Sequence, residues 1–338
     1  MRAAILYGQE NIVVEDRPDP GAPAPDEVQI RVRAVGLCGS DLKYFYSGGV
    51  SGGIKQPFAL GHEAAGDIVA VGRDVAAFAP GDRVAVEPGK PCWKCPQCLQ
   101  GDYNLCPNMY FMASRSRDGA LRERLNWPAN LVFPLPERLS YDEGALVEPL
   151  SVAFSSVRHA QVTLGTRALV LGAGPIGLAV AQFARLAGAV YVGVTDTEPL
   201  RLKLAQDLGA HETIDVAHLT GPDLPLAEGS IDVVIDTTGV DRAIAQAFPA
   251  IKPAGRLVLV GLNHELLPLS LLQIVYKQLT VQGVYRFKNT YPSVLHYLDE
   301  GQIKAGPLIT HRFTLDEAEQ ALRMAACRSD AVKVMIEL

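Results

Sequence analysis

Residues able to hold a metal or move charge cluster in the first half of this 338-residue chain. Cys38 lies in Gly36-Leu37-Cys38-Gly39-Ser40-Asp41, His62 and Glu63 lie in Gly61-His62-Glu63-Ala64-Ala65-Gly66, and Glu148 precedes Pro149. A thiolate, an imidazole and two carboxylates form a mixed S, N and O donor set. A zinc ion accepts such a set and keeps one position open for water or substrate. His62 and Glu63 are neighbours, so on a strand they would point to opposite faces. On a turn, which Gly61 permits, both reach one ion. The bland alternatives are a buried histidine beside a surface glutamate and a cysteine serving as a small buried hydrophobe. Glu148 follows three apolar residues, and a glutamate buried there needs a partner or a metal.

Cys92, Cys95, Cys98 and Cys106 stand at C-x2-C-x2-C-x7-C, with Pro91, Pro96 and Pro107 stiffening the excursion. Four thiolates suit a tetrahedral structural zinc with no position open for chemistry. Cysteine spacing alone also admits an iron–sulfur cluster, and a redox dithiol is a weaker third reading. Cys327 is read as a structural or surface thiol, and His159, His211, His264, His296 and His311 as bystanders, none having partners at ligand spacing.

A second kind of site follows. Arg167-Ala168-Leu169-Val170-Leu171 is a continuous apolar strand of the sort that a parallel sheet covers on both faces. Gly172-Ala173-Gly174-Pro175-Ile176-Gly177 then opens an Ala-rich helix running to about Leu186. A glycine-rich turn between strand and helix holds a pyrophosphate on free helical N–H groups. Tyr191 to Asp196 supplies a second strand ending in an acid, near where a ribose-binding carboxylate belongs. Asp196 would accept from the 2′-hydroxyl and repel a 2′-phosphate, which favours NAD over NADP.

The elements that must position these residues change type along the chain. Residues 1 to about 90 read as all-β, with Val28–Val35 alternating and short apolar runs at 67–71 and 83–86. A small antiparallel barrel fits that spacing. A helical stretch starts at Tyr141 and runs to about His159. From Arg167 onward strands and helices alternate, through Ile231–Asp236 and Arg256–Gly261, with Thr237-Thr238-Gly239 and Gly261-Leu262-Asn263 closing strands at their ligand-binding ends. Residues from about 286 return to the first domain.

Composition agrees with an ordinary globular protein of about two domains, 48% hydrophobic and 20% charged. The formal charge of −6 and the lack of a basic block argue against nucleic acid. The first residues hold too short an apolar run for a signal peptide. The uncharged run 168–184 is broken by Gly172, Gly174, Pro175 and Gly177, so it reads as strand, turn and helix and not as a membrane span. A soluble cytoplasmic chain with reduced thiols is expected.

Taken with Gly72 and Val75, the His62 stretch gives G-H-E-x2-G-x5-G-x2-V. Together with Gly119-Ala120-Leu121 and Glu143 to Val152, this resembles the zinc-dependent medium-chain dehydrogenases/reductases, and specifically their sorbitol/xylitol (polyol) branch. The resemblance spans essentially the whole chain. It implies an α/β architecture: a GroES-like β-barrel catalytic domain over residues 1–150 and 286–338, with a structural-zinc lobe near 90–107, plus a Rossmann doubly wound parallel-sheet coenzyme domain over 151–285. It implies a catalytic zinc on Cys38, His62 and Glu63, with Glu148 binding the zinc's water or the metal itself, and a structural zinc on the four clustered cysteines.

For NAD the resemblance implies Gly172, Gly174, Pro175, Ile176, Gly177, Asp196, Arg201, Thr238, Val260, Gly261, Leu262, Val284 and Tyr285. For the polyol it implies Tyr44, Phe111, Ser114, Arg286 and Phe287. Many relatives carry a histidine where this chain has Lys43, so Ser40 with the ribose, or Glu148 with water, is the expected proton route. The implied reaction is reversible NAD-linked oxidation of a polyol secondary alcohol to a ketose, with zinc as Lewis acid and the hydride passing to the nicotinamide. L-threonine, butanediol, L-idonate and hexitol phosphates are the rival substrates on this scaffold, Lys43, Arg115, Arg117 and Lys288 being candidates to meet a phosphate. A fold retained without chemistry is the distant alternative. The partner implied is a second copy, as a dimer or tetramer paired near Leu279 to Tyr285.

Overall fold

A computed structural model describes residues 1–49, 54–219, 221, 224–262 and 269–338. Asn263 and His264 therefore lie outside the described residues. The chain divides into two compact units. One comprises Met1–Pro149, Tyr291–Gly301 and Ala305–Leu338, and the other Leu150–Thr290 with Gln302–Lys304.

The spine of the first unit is the strand Glu27–Gly36, whose inward positions Val28, Ile30, Val32 and Val35 enter the core. It pairs antiparallel with Glu63–Val71, with Arg124–Pro128 and with Lys333–Glu337. The last pairing brings the C-terminus of the chain beside Gly36, two residues from Cys38. The resulting seven-stranded sheet is not purely antiparallel, because Ile309–Thr314 runs parallel to Lys333–Glu337.

The all-β expectation for residues 1–90 also fails at one place. Gly39–Ser47 is an α-helix, with Cys38 in extended conformation at its N-cap and Gly48 at φ +70° closing its C-terminus. Too short to show a clear helical period, it is held by burying Tyr44 and Phe45 and by the Asp41 carboxylate accepting from the Cys38 N–H at 2.9 Å.

The helical stretch from Tyr141 is two helices, Tyr141–Ala145 and Val147–Ala160. Ser140 and Glu143 cap the first reciprocally. Pro149 has no N–H to donate toward Ala145, so the ladder is broken just where Glu148 enters the first turn of the second helix.

In the second unit six strands form a parallel sheet in the order 212–215, 191–196, 167–171, 231–236, 251–259, 280–283. Numbered along the chain this is 3-2-1-4-5-6, a doubly wound sheet whose order reverses beside Arg167–Leu171. Residues 168–184 divide between that strand and the helix Pro175–Leu186. Among the described residues no helix is long and apolar enough to cross a membrane.

Candidate metal centre and nucleotide loop

Cys38 follows the spine strand, His62 follows the turn at Gly61 (φ +84°), and Glu63 begins the next strand over. Adjacent strand ends thus deliver all three. One donor atom from each of Cys38, His62 and Glu63 lies within 4.8 Å of the others, with His62 and Glu63 buried. Having the turn supply His62 and the strand supply Glu63 lets neighbouring residues face one point, which a continuous strand would forbid.

Asp41 fixes this arrangement. Its carboxylate is fully buried and accepts from the Cys38 N–H at 2.9 Å and the Gly61 N–H at 3.1 Å, while an oxygen stands 3.7 Å from His62 Nδ1. One side chain therefore ties together the segments carrying two of the donors and orients the imidazole of His62. Burial works against the His62 imidazolium, yet Asp41 and Cys38 outweigh it and hold the group well above its ordinary range. A field that draws a proton onto His62 draws a cation to the same donors, and a bound metal would release that proton. The donor set and its field fit a zinc ion.

Glu63 has a made-to-measure niche. A Cβ on Gly36 would collide with its carboxylate, so the strand runs against the acid only because residue 36 has no side chain. On the other side Lys333 Nζ donates to Glu63 Oε1 at 2.8 Å and Oε2 at 2.7 Å, and to the Leu37 carbonyl at 2.9 Å. Lys333 is 3% exposed and Glu63 1%, so water cannot replace either partner. Burial opposes the charge of Lys333, but Glu63, Cys38 and Glu148 keep its pKa above the ordinary value.

Glu148 is buried near this centre but is not one of the three mutually close donors. Its charge, after burial itself, helps push the Tyr291 phenol well above its usual range, and the Tyr291 hydroxyl donates to the Val86 carbonyl at 2.8 Å. Of the side chains implied for substrate, Phe111 packs on His62 with ring centroids 5.4 Å apart. The Ser114 hydroxyl donates to the Phe111 carbonyl at 2.8 Å, and buried Tyr44 accepts from the Arg115 N–H at 2.9 Å. Ser40 is half-buried in the first turn after Cys38. Arg286 and Phe287 belong to the second unit, with the Arg286 guanidinium 4.6 Å over the Tyr285 ring and Phe287 buried.

Cys92, Cys95, Cys98 and Cys106 converge as a second donor group, again within 4.8 Å of one another. Backbone N–H groups, that of Lys94 foremost, draw the Cys92 thiol down to about 6, while burial pushes Cys98 up to about 12. Sulfurs packed 3.4 Å (Cys95–Cys98) and 3.9 Å (Cys95–Cys106) apart need a cation between them to hold several thiolates. Beside them Tyr103 hydrogen-bonds Glu87, whose carboxyl is driven up to about 7 by burial, against the pull of that bond.

In the second unit the loop Gly172–Gly174 leads into the helix Pro175–Leu186 with proline in its first turn. A side chain at Gly177 would strike the Gly172 carbonyl, so the helix sits directly on the loop. Asp196 ends its strand and accepts from the Ala173 N–H at 2.6 Å as well as from Thr197 and Glu198. The acid is thus bonded to the glycine loop itself. Thr238, Val260 and Gly261 gather around the carboxyl ends of neighbouring strands. Thr238 donates to the Asp236 carboxylate, and Val260 and Gly261 donate to the Asp236 carbonyl. Val284 donates to Leu259, Leu262 is exposed, and Arg201 approaches Gly174. The open loop, the helix N-terminus and the aimed acid fit a dinucleotide.

Asp41, Lys333, Glu87 and Tyr291 were not singled out by sequence. Asp41 stands in the Cys38 motif, and its three-residue offset from Cys38 is a capping signal. The others had no local signal.

Comparison with known proteins agrees with this geometry. Residues 24–137 match the alcohol dehydrogenase GroES-like domain family and residues 175–300 the zinc-binding dehydrogenase family. The chain is 40% identical to a sorbitol dehydrogenase of Arabidopsis thaliana, over 99% of this chain and 95% of that one. It is 37% identical to an L-idonate 5-dehydrogenase of Vitis vinifera, over 99% and 94%. The crystal structure of galactitol-1-phosphate dehydrogenase from Escherichia coli superposes with a TM-score of 0.90 at 31% identity, covering all of both chains. With GroES-like and nucleotide-binding domains in this order and relatives matched end to end, the chain belongs to the zinc-dependent medium-chain dehydrogenases/reductases.

Proposed function

We propose that this protein is an NAD-dependent zinc dehydrogenase that oxidises a secondary alcohol of a free polyol to a ketose, reversibly. The observation that carries the reading is the buried convergence of Cys38, His62 and Glu63 within 4.8 Å. When bound, zinc supplies Lewis-acid polarisation of the substrate oxygen and NAD supplies the hydride acceptor. Cys38, His62 and Glu63 hold the metal, Asp41 orients His62, and Phe111 closes one side of the imidazole to water. Glu148 and Ser40 are the groups that take up and pass on the substrate proton. In the first unit Tyr44, Phe111 and Ser114 contact the polyol. The four-cysteine lobe holds a structural zinc. Gly172–Gly177, Asp196, Arg201, Thr238, Val260, Gly261, Leu262, Val284 and Tyr285 hold NAD, with Asp196 selecting against a 2′-phosphate.

The curated relative named a sorbitol dehydrogenase supports a polyol. Arg117, one of the four candidates to meet a phosphate, donates from Nη1 to the Met109 carbonyl at 2.6 Å and lies over the Tyr110 ring, which draws it toward its own segment. The strand Thr280–Gly283 edges its sheet, and Leu271, Leu272, Val275 and Tyr276 are exposed on the preceding helix, which supports pairing of copies there. A light-scattering mass near one chain of 36.3 kDa would exclude that pairing.

The test of the reading is NADH formation by zinc-loaded protein on xylitol, sorbitol, galactitol, L-threonine, 2,3-butanediol, L-idonate and hexitol phosphates, with NAD and NADP in parallel. Turnover of a free polyol with NAD supports it. Turnover confined to threonine, the diol, the acid or a phosphate would move the substrate, and NADP preference would overturn the role given to Asp196.

A further inference from the structure

We propose that Lys333 is an internal counter-ion that competes with the metal for Glu63 and so keeps Glu63 an exchangeable ligand. The proposal rests on the zinc reading above. An ammonium has three N–H donors, and those of Lys333 go to both Glu63 oxygens and to the carbonyl of Leu37, the residue before Cys38. The cation is therefore held at a point defined by two of the three donor segments. Neither partner is exposed to water, and on its other side the carboxylate occupies the space where a side chain at residue 36 would stand.

Each carboxylate oxygen gives one lone pair to Lys333 and retains another for a metal. The two cations then share one acid across a buried space, where their repulsion is screened far less than in water. Without the metal, Lys333 keeps the Glu63 carboxylate satisfied, so the donors stay in place. With it, Lys333 weakens the hold of Glu63. Cys38 and Glu63 together carry two negative charges, which a divalent ion alone would neutralise. Asp41 and Glu148 are buried acids beside the same centre, so Lys333 offsets part of the negative charge that the loaded centre would otherwise turn toward a substrate oxygen.

The sign of the effect separates this role from that of a brace. A brace, once removed, loosens the metal. A competing cation, once removed, tightens it. The experiment measures the affinity of the second zinc equivalent by competition with a fluorescent zinc chelator in wild type, Lys333→Gln, Lys333→Met and Lys333→Arg. It also records the melting temperature of each with and without zinc. Lys333→Gln keeps a hydrogen-bond donor at similar volume, so it serves if Lys333→Met does not fold.

The expected result is zinc bound about tenfold or more tightly in the Gln and Met variants, because a like charge beside the metal has been removed from a poorly screened site, with slower release to the chelator and a wider gap between zinc-loaded and zinc-free melting. Lys333→Arg, which keeps the charge, should stay within a few-fold of wild type. Unchanged or weaker zinc binding in both neutral variants would overturn the proposal while leaving the zinc reading intact. A wild-type protein that binds zinc only at its four cysteines would overturn both.

Discussion

Replacing Asp41 by Asn removes one charge and little volume, and its cost follows from the hydrogen bonds. The Asp41 oxygens accept separately from the Cys38 N–H and the Gly61 N–H, at 2.9 and 3.1 Å, in a fully buried site. An Asn side chain has one acceptor oxygen, so its amide must face the other N–H. A buried donor left without a partner costs about 1–3 kcal/mol. The loosened segments carry Cys38 and His62, so the metal should bind about 10- to 100-fold more weakly. Denaturant unfolding of zinc-free protein reads the first effect and chelator competition the second. Wild-type stability together with wild-type zinc affinity would refute the argument that Asp41 builds the centre.

Other consequences concern separate parts of the molecule. Glu87 shifts from 4.5 to about 7, which at about 1.4 kcal/mol per unit is about 3 kcal/mol. The sign follows from the raised folded-state value. Between pH 4.5 and about 7 the unfolded chain has lost the proton that the folded chain keeps, so stability should fall as pH rises through that window. Glu87→Gln should flatten that slope, and a slope unchanged in pH-dependent unfolding would count against it. Cys95→Ser should remove one zinc per chain and make the lobe around residues 92–106 the first site of limited proteolysis; retention of all the metal would oppose a structural zinc there. Asp196→Ala loosens the glycine loop by freeing the Ala173 N–H, and it removes the charge proposed to repel a 2′-phosphate. Its NAD-to-NADP ratio of kcat/KM should therefore drop by about tenfold or more, a loss of about 1.4 kcal/mol in discrimination.

The legible parts of this chain were those where one segment carries its own chemistry. The run 172–177 announces a strand-to-helix turn through its glycines, and the four cysteines announce a metal-holding lobe by their spacing, though not which metal. Cys38, His62 and Glu63 were legible as donors through the Gly61-His62-Glu63 signature and its resemblance to the zinc dehydrogenases, but their meeting depends on pairing between Glu27–Gly36 and Glu63–Val71, which no local pattern states. The helix Gly39–Ser47 was missed because it is short and its stability comes from capping and two buried aromatics, not from a long apolar period. Lys333 was invisible for a plainer reason. It lies 270 residues from Glu63 in an apolar run that reads as an ordinary strand, and only the pairing of that strand with Gly36 brings its ammonium to the acid.

The central claim is that Cys38, His62 and Glu63 hold a zinc ion on which alcohol oxidation depends. The measurement that tests it most directly is zinc content per chain, taken together with NADH formation on a free polyol, in wild type and His62→Ala. Two donor groups predict two zinc equivalents in wild type and one in the variant, with turnover lost in step. Two equivalents retained in His62→Ala, or turnover surviving the loss of one, would contradict it.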